Sequence, residues 1–263
     1  MDETALFPTI ARVVQNDAPV AICTALAWEG AAVRAVLKRV QREDEKVWRG
    51  FAGRKEVLVI TTGIGPRRTQ RTLEQFAATP LSAVFSVGCA GALVPGLMTG
   101  QLILASEVWM YAVEGQAQLM RFAVEPELFA HARTAAHAAS VPTAEGALFT
   151  SAKILFTPEE KSQRGRETGA IAVEMESGVH AAFAAHRGVP FLVLRVILDG
   201  VGLRLPVMKG ITTSDGEVRP LKTALHVATH PHHLPALFAL KQARTRVSQT
   251  LSRLCWTFFS RLT

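Results

Sequence analysis

The stretch Pro190–Gly200, PFLVLRVILDG, contains eight consecutive strand-forming residues in which Arg195 is the only polar one, and it ends in Asp199. A strand that is apolar on both of its alternating faces is typical of a sheet covered on both sides. Shorter runs rich in Val, Ile and Leu alternate with amphipathic, helix-like stretches along the chain. This alternation predicts an α/β fold in three layers, with a largely parallel or mixed central sheet flanked by helices.

The length and composition predict one large domain. The chain has 263 residues, of which 49% are hydrophobic, enough for a substantial core. We expect a single domain over residues 1–263, with its core at about 20–200. A loop-rich segment is predicted at 202–235 and a basic amphipathic helix at 236–262.

The charge is unevenly distributed. The formal net charge is +7, and no Asp or Glu follows Glu217. The basic residues beyond that point number seven: Arg219, Lys222, Lys241, Arg244, Arg246, Arg253 and Arg261. They equal the whole net charge, so the preceding part is close to neutral. This pattern argues against nucleic acid as a partner and favours a local surface contact near the C-terminus.

The cysteines and the N-terminus indicate the cytoplasm. Cys23, Cys89 and Cys255 are an odd number without metal-type spacing, which predicts reduced thiols. The acidic N-terminus lacks the features of a signal peptide, and no run is apolar enough to span a membrane. The histidine-rich stretch 230–233, HPHH, has no paired cysteine or acidic cluster, so we expect a loop and no metal.

Polar or glycine-rich groups follow four predicted strands: Glu29, Gly63–Gly65, Gly88–Gly91 and Asp199. Ligands of open α/β sheets bind beyond the carboxyl ends of the strands. Each group alone is also explained by a turn or a helix cap. GIGPRR lacks the third glycine of a dinucleotide-binding fingerprint, and VGCAG lacks the lysine of a phosphate-binding loop.

Taken together and in order, these segments resemble a known family. TALAWE, TTGIGPRRT, FSVGCAGALVPGLMTGQLILASEV, AIAVEMES and VPFLVLRVILD are similar to the purine nucleoside phosphorylase and nucleosidase superfamily, over roughly Ala21 to Gly200. The core looks most like the methylthioadenosine/adenosylhomocysteine nucleosidases. The resemblance implies cleavage of the N-glycosidic bond of an adenosine-type nucleoside, without a cofactor, in a homo-oligomer.

The resemblance also implies roles for the acidic residues. Asp199 matches the acid that protonates, or hydrogen-bonds to, N7 of the base, and Glu29 matches the carboxylate that activates water. Glu176 matches the anchor of the ribose hydroxyls, with Met175 as an apolar surface for the sugar. Glu174 is expected to cap a helix or to support the site from behind.

Further positions carry over with less detail. The backbone of Gly88, Cys89 and Ala90 is expected to surround the reacting centre, and Leu155 and Phe156 are placed near the base. The sequence also departs from the family pattern. Cys89 stands where Ser or Thr is common, Leu198 stands where a Ser commonly precedes the acid, and Lys153 replaces an acidic residue.

The nucleophile is either water or phosphate. Relatives that use phosphate commonly present an arginine where this chain has Ser86, which together with Glu29 favours water. Gly65, Arg67 and Arg68 lie at the start of a predicted helix, and helix N-termini favour anions. These three residues are therefore the candidate site for phosphate as a co-substrate.

The C-terminal part resembles a different branch. The segment DGEVRPLKTAL and the basic helix after it look like the hopanoid-biosynthesis-associated branch, which implies release of adenine from adenosylhopane. A basic amphipathic helix would hold such an enzyme peripherally at the inner membrane face. Alternatively, the apolar residues of this helix, Leu240, Val247, Leu251, Leu254 and Phe258, dock it onto the domain.

Three other functions remain open at this stage. One is a methylthioadenosine/adenosylhomocysteine nucleosidase, and another is a purine nucleoside phosphorylase. The third, of a different class, is a non-catalytic nucleoside-binding or membrane-adaptor protein that kept the fold. The acidic residues Glu29, Glu176 and Asp199 speak against the third.

Overall fold

The protein is described by a computed structural model that covers residues 17–112, 118–205 and 234–260. The histidine-rich stretch and the segment DGEVRPLKTAL lie outside these residues. The strands are β1 (Val20–Thr24), β2 (Lys38–Arg42), β3 (Val47–Ala52), β4 (Lys55–Thr61), β5 (Ala83–Ala92), β6 (Leu102–Tyr111), β7 (Leu119–Ala123), β8 (Thr143–Thr150), β9 (Ala172–Glu174) and β10 (Phe191–Asp199). The helices are α1 (Ala27–Arg34), α2 (Pro66–Glu74), α3 (Pro126–Ala138), α4 (Pro158–Thr168), α5 (Ser177–Arg187) and α6 (Leu234–Phe259).

The strands form one mixed sheet, which confirms the predicted fold class. From one edge the order is β2, β3, β4, β1 and β5, with β1 parallel to both of its neighbours. β5 then pairs with β10, and β10 leads through β6 and β8 to β9. Because β9 pairs back with β5, these last five strands close into a ring. The ring brings the ends of β5, β9 and β10 close together.

The central strands are buried as their apolar composition predicts. All five residues of β1 are buried, as are eight of the nine in β10. Side chains from both faces of these strands belong to one continuous apolar core. Burial on both faces explains why β-branched and other apolar residues follow one another without alternation.

Helix α1 differs from the sequence-based expectation. The apolar pattern predicted a strand-like run as far as Glu29 and a helix after it, but α1 begins at Ala27 and includes Glu29. The Glu29 carboxylate accepts hydrogen bonds from the backbone N–H groups of Ala25 and Leu26 and so caps the helix that contains it. The exposed segment Lys38–Arg42 is an edge strand that pairs with β3.

The C-terminal helix α6 packs on the domain. Val247, Leu251, Leu254 and Phe258 are fully buried against α1, α3 and β10. The Phe258 ring contacts Phe85 edge to face, with 5.7 Å between the ring centroids. The docking interpretation therefore holds for these four residues, whereas Leu240 is only half-buried. No helix in the described ranges is long and apolar enough to cross a membrane.

We predict that the docking of α6 contributes to the stability of the whole domain. Leu251→Ala removes a fully buried side chain and should lower the free energy of unfolding by about 2–5 kcal/mol. Gln249→Ala, at an exposed position on the same helix, is the matched control and should change it by less than about 0.5 kcal/mol. Urea unfolding followed by circular dichroism measures both. An unchanged midpoint for Leu251→Ala would contradict the docking.

Candidate active site

A cavity of about 210 Å³ lies where the ends of β1, β5 and β10 meet β9 and the start of α5. Glu29, Glu176 and Asp199, which are far apart in the sequence, all line it. Each of the three residues is at most 5% exposed. The ends of β9 and β10 and the start of α1 therefore bring the three predicted acidic residues together in one buried space.

Glu29 is held by backbone hydrogen bonds from two directions. Its Oε2 accepts from Ala25 and Leu26 at 3.1 and 3.0 Å, and its Oε1 accepts from the N–H of Cys89 at 2.8 Å. Burial raises the pKa of Glu29, while the charge of Arg195 and the N–H of Cys89 oppose the rise. The result is a fixed carboxyl group whose position depends on both α1 and β5.

Glu174 and Glu176, on either side of Met175, have different environments. Glu174 accepts from the N–H groups of Glu176 and Ser177 at 2.9 and 2.7 Å, so it caps α5 as the sequence suggested. Glu176 accepts from the N–H of Gly65 at 2.8 Å. Burial, and after it the charge of Glu174, raises the pKa of Glu176 to about 8.

Arg195, which also lines the cavity, neutralises part of this negative charge. It is 1% exposed and forms an ion pair with Glu174 at 2.7 Å. Its guanidinium also donates to the hydroxyls of Ser86 and Ser177, each at 2.8 Å. Burial disfavours the charged guanidinium, but the surrounding carboxylates outweigh this effect and raise the pKa of Arg195. Arg195 is thus a charged residue in the middle of the most apolar strand.

Gly88 leaves the room that this arrangement needs. A Cβ atom at this position would lie 2.7 Å from Oε1 of Glu29 and would also collide with the guanidinium of Arg195. Gly88 does not line the cavity, although Cys89 and Ala90 do. The glycine is required because two buried charged side chains pass directly over the backbone of β5.

Asp199 forms a buried ion pair with a lysine. Its Oδ2 is 2.5 Å from Nζ of Lys161 on α4, and the two side chains are 7% and 1% exposed. Burial raises the pKa of Asp199, and the charge of Lys161 opposes that rise. Gly91 lies against the same carboxyl group, because a Cβ atom there would be 3.1 Å from Oδ2.

The rest of the lining is largely apolar. Met175 and Leu155 line the cavity, as does Leu198 beside Asp199. Phe156 is not part of the lining, and its backbone N–H donates to Glu160 at 2.8 Å. Within the described ranges, no group of three or more His, Cys, Asp or Glu side chains is arranged to hold a metal ion.

The departures noted in the sequence fall inside the site. Cys89 is half-buried beside Glu29, and burial, followed by the charge of Glu29, raises the pKa of its thiol well above the usual value. The thiol therefore stays protonated next to a carboxyl group. Leu198 adds an apolar surface where a hydroxyl was expected.

The residues proposed for phosphate lie away from the cavity centre. Arg67 is exposed and Arg68 is half-buried, and neither lines the cavity. The N–H of Gly65, at the N-terminus of α2, is hydrogen-bonded to Glu176. Pro66 follows it and has no N–H to offer. A carboxylate thus occupies the first anion-binding position of this helix.

Two site residues were not predicted from the sequence, Lys161 and Arg195. Arg195 could have been predicted, because a lone arginine in an apolar strand is buried and must then be paired with a negative charge. Lys161 lies in the polar stretch PEEKSQRGRET, where nothing distinguishes it from a solvent-exposed helical lysine. Only the packing of α4 against the end of β10 shows that it is buried.

Comparison with known proteins places the chain in a family. The 5′-methylthioadenosine/S-adenosylhomocysteine nucleosidase of Anoxybacillus flavithermus is 30% identical over 162 residues, which is 56% of this chain and 68% of the relative. The nucleosidase of the same name from Shewanella frigidimarina is 29% identical over 174 residues, covering 60% of this chain and 74% of the relative.

Solved structures share the fold over almost the whole chain. The 5′-methylthioadenosine/S-adenosylhomocysteine nucleosidase of Neisseria meningitidis, in complex with methylthio-immucillin-A, superposes with a TM-score of 0.70 at 17% identity, covering 92% of this chain and 98% of the other. The futalosine hydrolase of Helicobacter pylori gives a TM-score of 0.66 at 18% identity, covering 90% and 97%. Residues 19–218 match the sequence profile described as the Phosphorylase superfamily. The chain belongs to the Phosphorylase superfamily.

Proposed function

We propose that the protein cleaves the N-glycosidic bond of an adenosine-type nucleoside and releases adenine. The observation that carries the proposal is the meeting of Glu29, Glu176 and Asp199 in one buried cavity. Bond cleavage builds positive charge on the sugar and negative charge on the departing base. Buried carboxyl groups with raised pKa values, gathered around one cavity, are suited to these needs.

The steps balance with the residues of the chain. As the bond between C1′ and the base nitrogen breaks, its electron pair moves to the base and Asp199 gives a proton to N7. A water molecule attacks C1′, and Glu29 takes a proton from it. The products are free adenine and the ribosyl compound, and solvent returns the proton from Glu29 to Asp199. The chemistry calls for no cofactor.

Water is the nucleophile that we propose. The buried part of the site carries the acidic residues Glu29, Glu174 and Glu176, and the nearest guanidinium, that of Arg195, is already paired with Glu174. A phosphate dianion would meet repulsion here, because like charges in a low-dielectric site repel strongly. The backbone N–H of Gly65 is also engaged, by Glu176.

We further propose that the substrate is adenosylhopane. The support is the resemblance of the C-terminal segment to the hopanoid-associated branch, together with the apolar lining of the cavity. The rival substrates are methylthioadenosine and adenosylhomocysteine, which are favoured by the 30% identity with a nucleosidase of that name. We expect adenine release from adenosylhopane to exceed release from the other two when kcat/KM values are compared by chromatography. Faster release from either rival would reassign the substrate.

Replacement of the acidic residues tests the mechanism. Asp199→Asn and Glu29→Gln keep the shape of each side chain but cannot exchange the proton, so each should lower kcat by about 10²–10⁴-fold. Glu43→Gln, on the exposed loop before β3, is the control and should keep the wild-type rate. If both site variants retained full activity while folded, the proposed acid and base would be wrong. Product analysis with and without phosphate should find a hydroxyl group, and not a phosphate group, on C1′ of the ribosyl product.

The pH dependence of substrate preference tests the role of Glu176 as ribose anchor. We predict that the wild type prefers a ribonucleoside over its 2′-deoxy analogue by about 10-fold or more, because a hydrogen bond to a charged group contributes about 1.5–3 kcal/mol. The ionised form accepts such bonds, so the preference should grow as pH rises through about 8. Glu176→Gln should show a smaller preference without this rise. The titration of the other acids affects both substrates equally and drops out of the ratio of their kcat/KM values. A wild-type ratio that does not change with pH would contradict the anchor role.

The exposed side of α6 is the part that we propose contacts an anionic membrane. Arg246, Arg253 and Trp256 are exposed and recur at helical intervals on one side, and Trp256 is 59% exposed. Each basic residue near such a surface contributes about 1 kcal/mol. Arg246→Glu with Arg253→Glu should therefore lower sedimentation with phosphatidylglycerol vesicles by about tenfold or more.

Arg54→Glu with Arg166→Glu changes the charge equally at exposed positions elsewhere and serves as the control. Equal loss of vesicle binding in both double variants would show that net charge, and not this side of α6, is responsible. Point changes are preferable to truncation, because removal of α6 would expose the core that it covers.

A further inference from the structure

Lys161 is a buried lysine on a helix beside the cavity. It lies on α4 and is 1% exposed, and it also lines the cavity. Its Nζ donates to Oδ2 of Asp199 at 2.5 Å, to the carbonyl of Gly200 at 3.1 Å and to the carbonyl of Leu203 at 2.9 Å. The lysine therefore joins α4 to the end of β10 and to the turn that follows it.

The three acceptors match the hydrogen-bonding capacity of the lysine. A protonated ammonium group has three N–H donors and no acceptor. All three donors of Lys161 are used within the chain, so none remains for a bound nucleoside. Lys161 is thus arranged to act on Asp199 and not on a ligand.

We propose that Lys161 is the positioning residue for Asp199: by occupying Oδ2, it leaves Oδ1 as the oxygen that carries and donates the proton. The inference rests on the proposed function, in which Asp199 protonates the base. A carboxyl group with both oxygens free can carry its proton on either one. With Oδ2 accepting from a fixed ammonium, the proton is confined to the other oxygen. The same contacts hold the turn Gly200–Leu203 beside the cavity.

The charge of Lys161 also affects how readily Asp199 gives up its proton. Burial raises the pKa of Asp199, and Lys161 pulls it back toward the usual value. The other charged residues that line the cavity are Glu29, Lys153, Glu174, Glu176 and Arg195. In the described part of the chain, only Lys161 forms an ion pair with Asp199. Lys161 therefore makes Asp199 a stronger acid, and Asp199 loses its proton at a lower pH than it would without the lysine.

Kinetics of Lys161→Met on the full chain test the proposal. We expect kcat to fall by about tenfold or more, with KM nearly unchanged, because proton donation rather than binding is affected. The alkaline limb of kcat/KM against pH reports the acid in the free enzyme. Without the ammonium, the pKa of Asp199 is no longer lowered, so this limb should move to higher pH. Lys161→Arg keeps the charge and should keep the limb near its wild-type position.

Controls separate positioning from simple stability. Arg166→Met removes a positive charge from an exposed position on the same helix and should leave the profile unchanged. Circular dichroism checks folding, and if Lys161→Met does not fold, Lys161→Gln provides a neutral side chain that can still donate a hydrogen bond. If a folded neutral variant kept the wild-type pH profile and kcat, the positioning role of Lys161 would be wrong, and the proposed function would still stand. Absence of base release by the wild type would overturn the proposed function, and the inference with it.

Discussion

The buried guanidinium of Arg195 is the interaction on which the rest of the site depends. It lines the cavity together with Glu29, Glu174 and Glu176, and it pairs directly with Glu174. Without a positive charge at this depth, three carboxyl groups could not be kept close together, because each would lose hydration and repel the others. Burial, and after it the charge of Glu174, raises the pKa of Glu176 to about 8, and the single guanidinium opposes this rise without cancelling it.

The backbone is adapted to these charges. Gly88 has no side chain because Glu29 and Arg195 pass over it, and Gly91 lets Asp199 approach β5 closely. The Glu29 carboxylate caps α1 and accepts from Cys89, while the Glu174 carboxylate caps α5 and pairs with Arg195. The same hydrogen bonds therefore set the ends of helices and the positions of the candidate catalytic groups. Folding and preorganisation of the site have a common cause.

The site contains two charge pairs with different roles. Both pairs line the cavity, but Arg195 and Glu174 are linked to buried hydroxyls and to the start of α5, whereas Lys161 links Asp199 to the turn after β10. In the proposed mechanism Asp199 exchanges a proton with the ligand, whereas Arg195 balances the charge of the surrounding carboxyl groups. Cys89 and Leu198 change the surroundings of Glu29 and Asp199 but leave the carboxyl groups themselves in place.

The sequence by itself determined the fold class, since continuous apolar strands are a local feature of the chain, and the resemblance of its segments to a known family singled out Glu29, Glu176 and Asp199. It predicted the extent of α1 wrongly, because the Glu29 side chain and the pairing of β2 with β3 outweigh the apolar pattern. Only the tertiary structure decided the ring formed by β5, β10, β6, β8 and β9, the docking of α6 and the burial of Lys161. These features arise from contacts between segments that are distant in the chain, and no local pattern of residues encodes which of them meet.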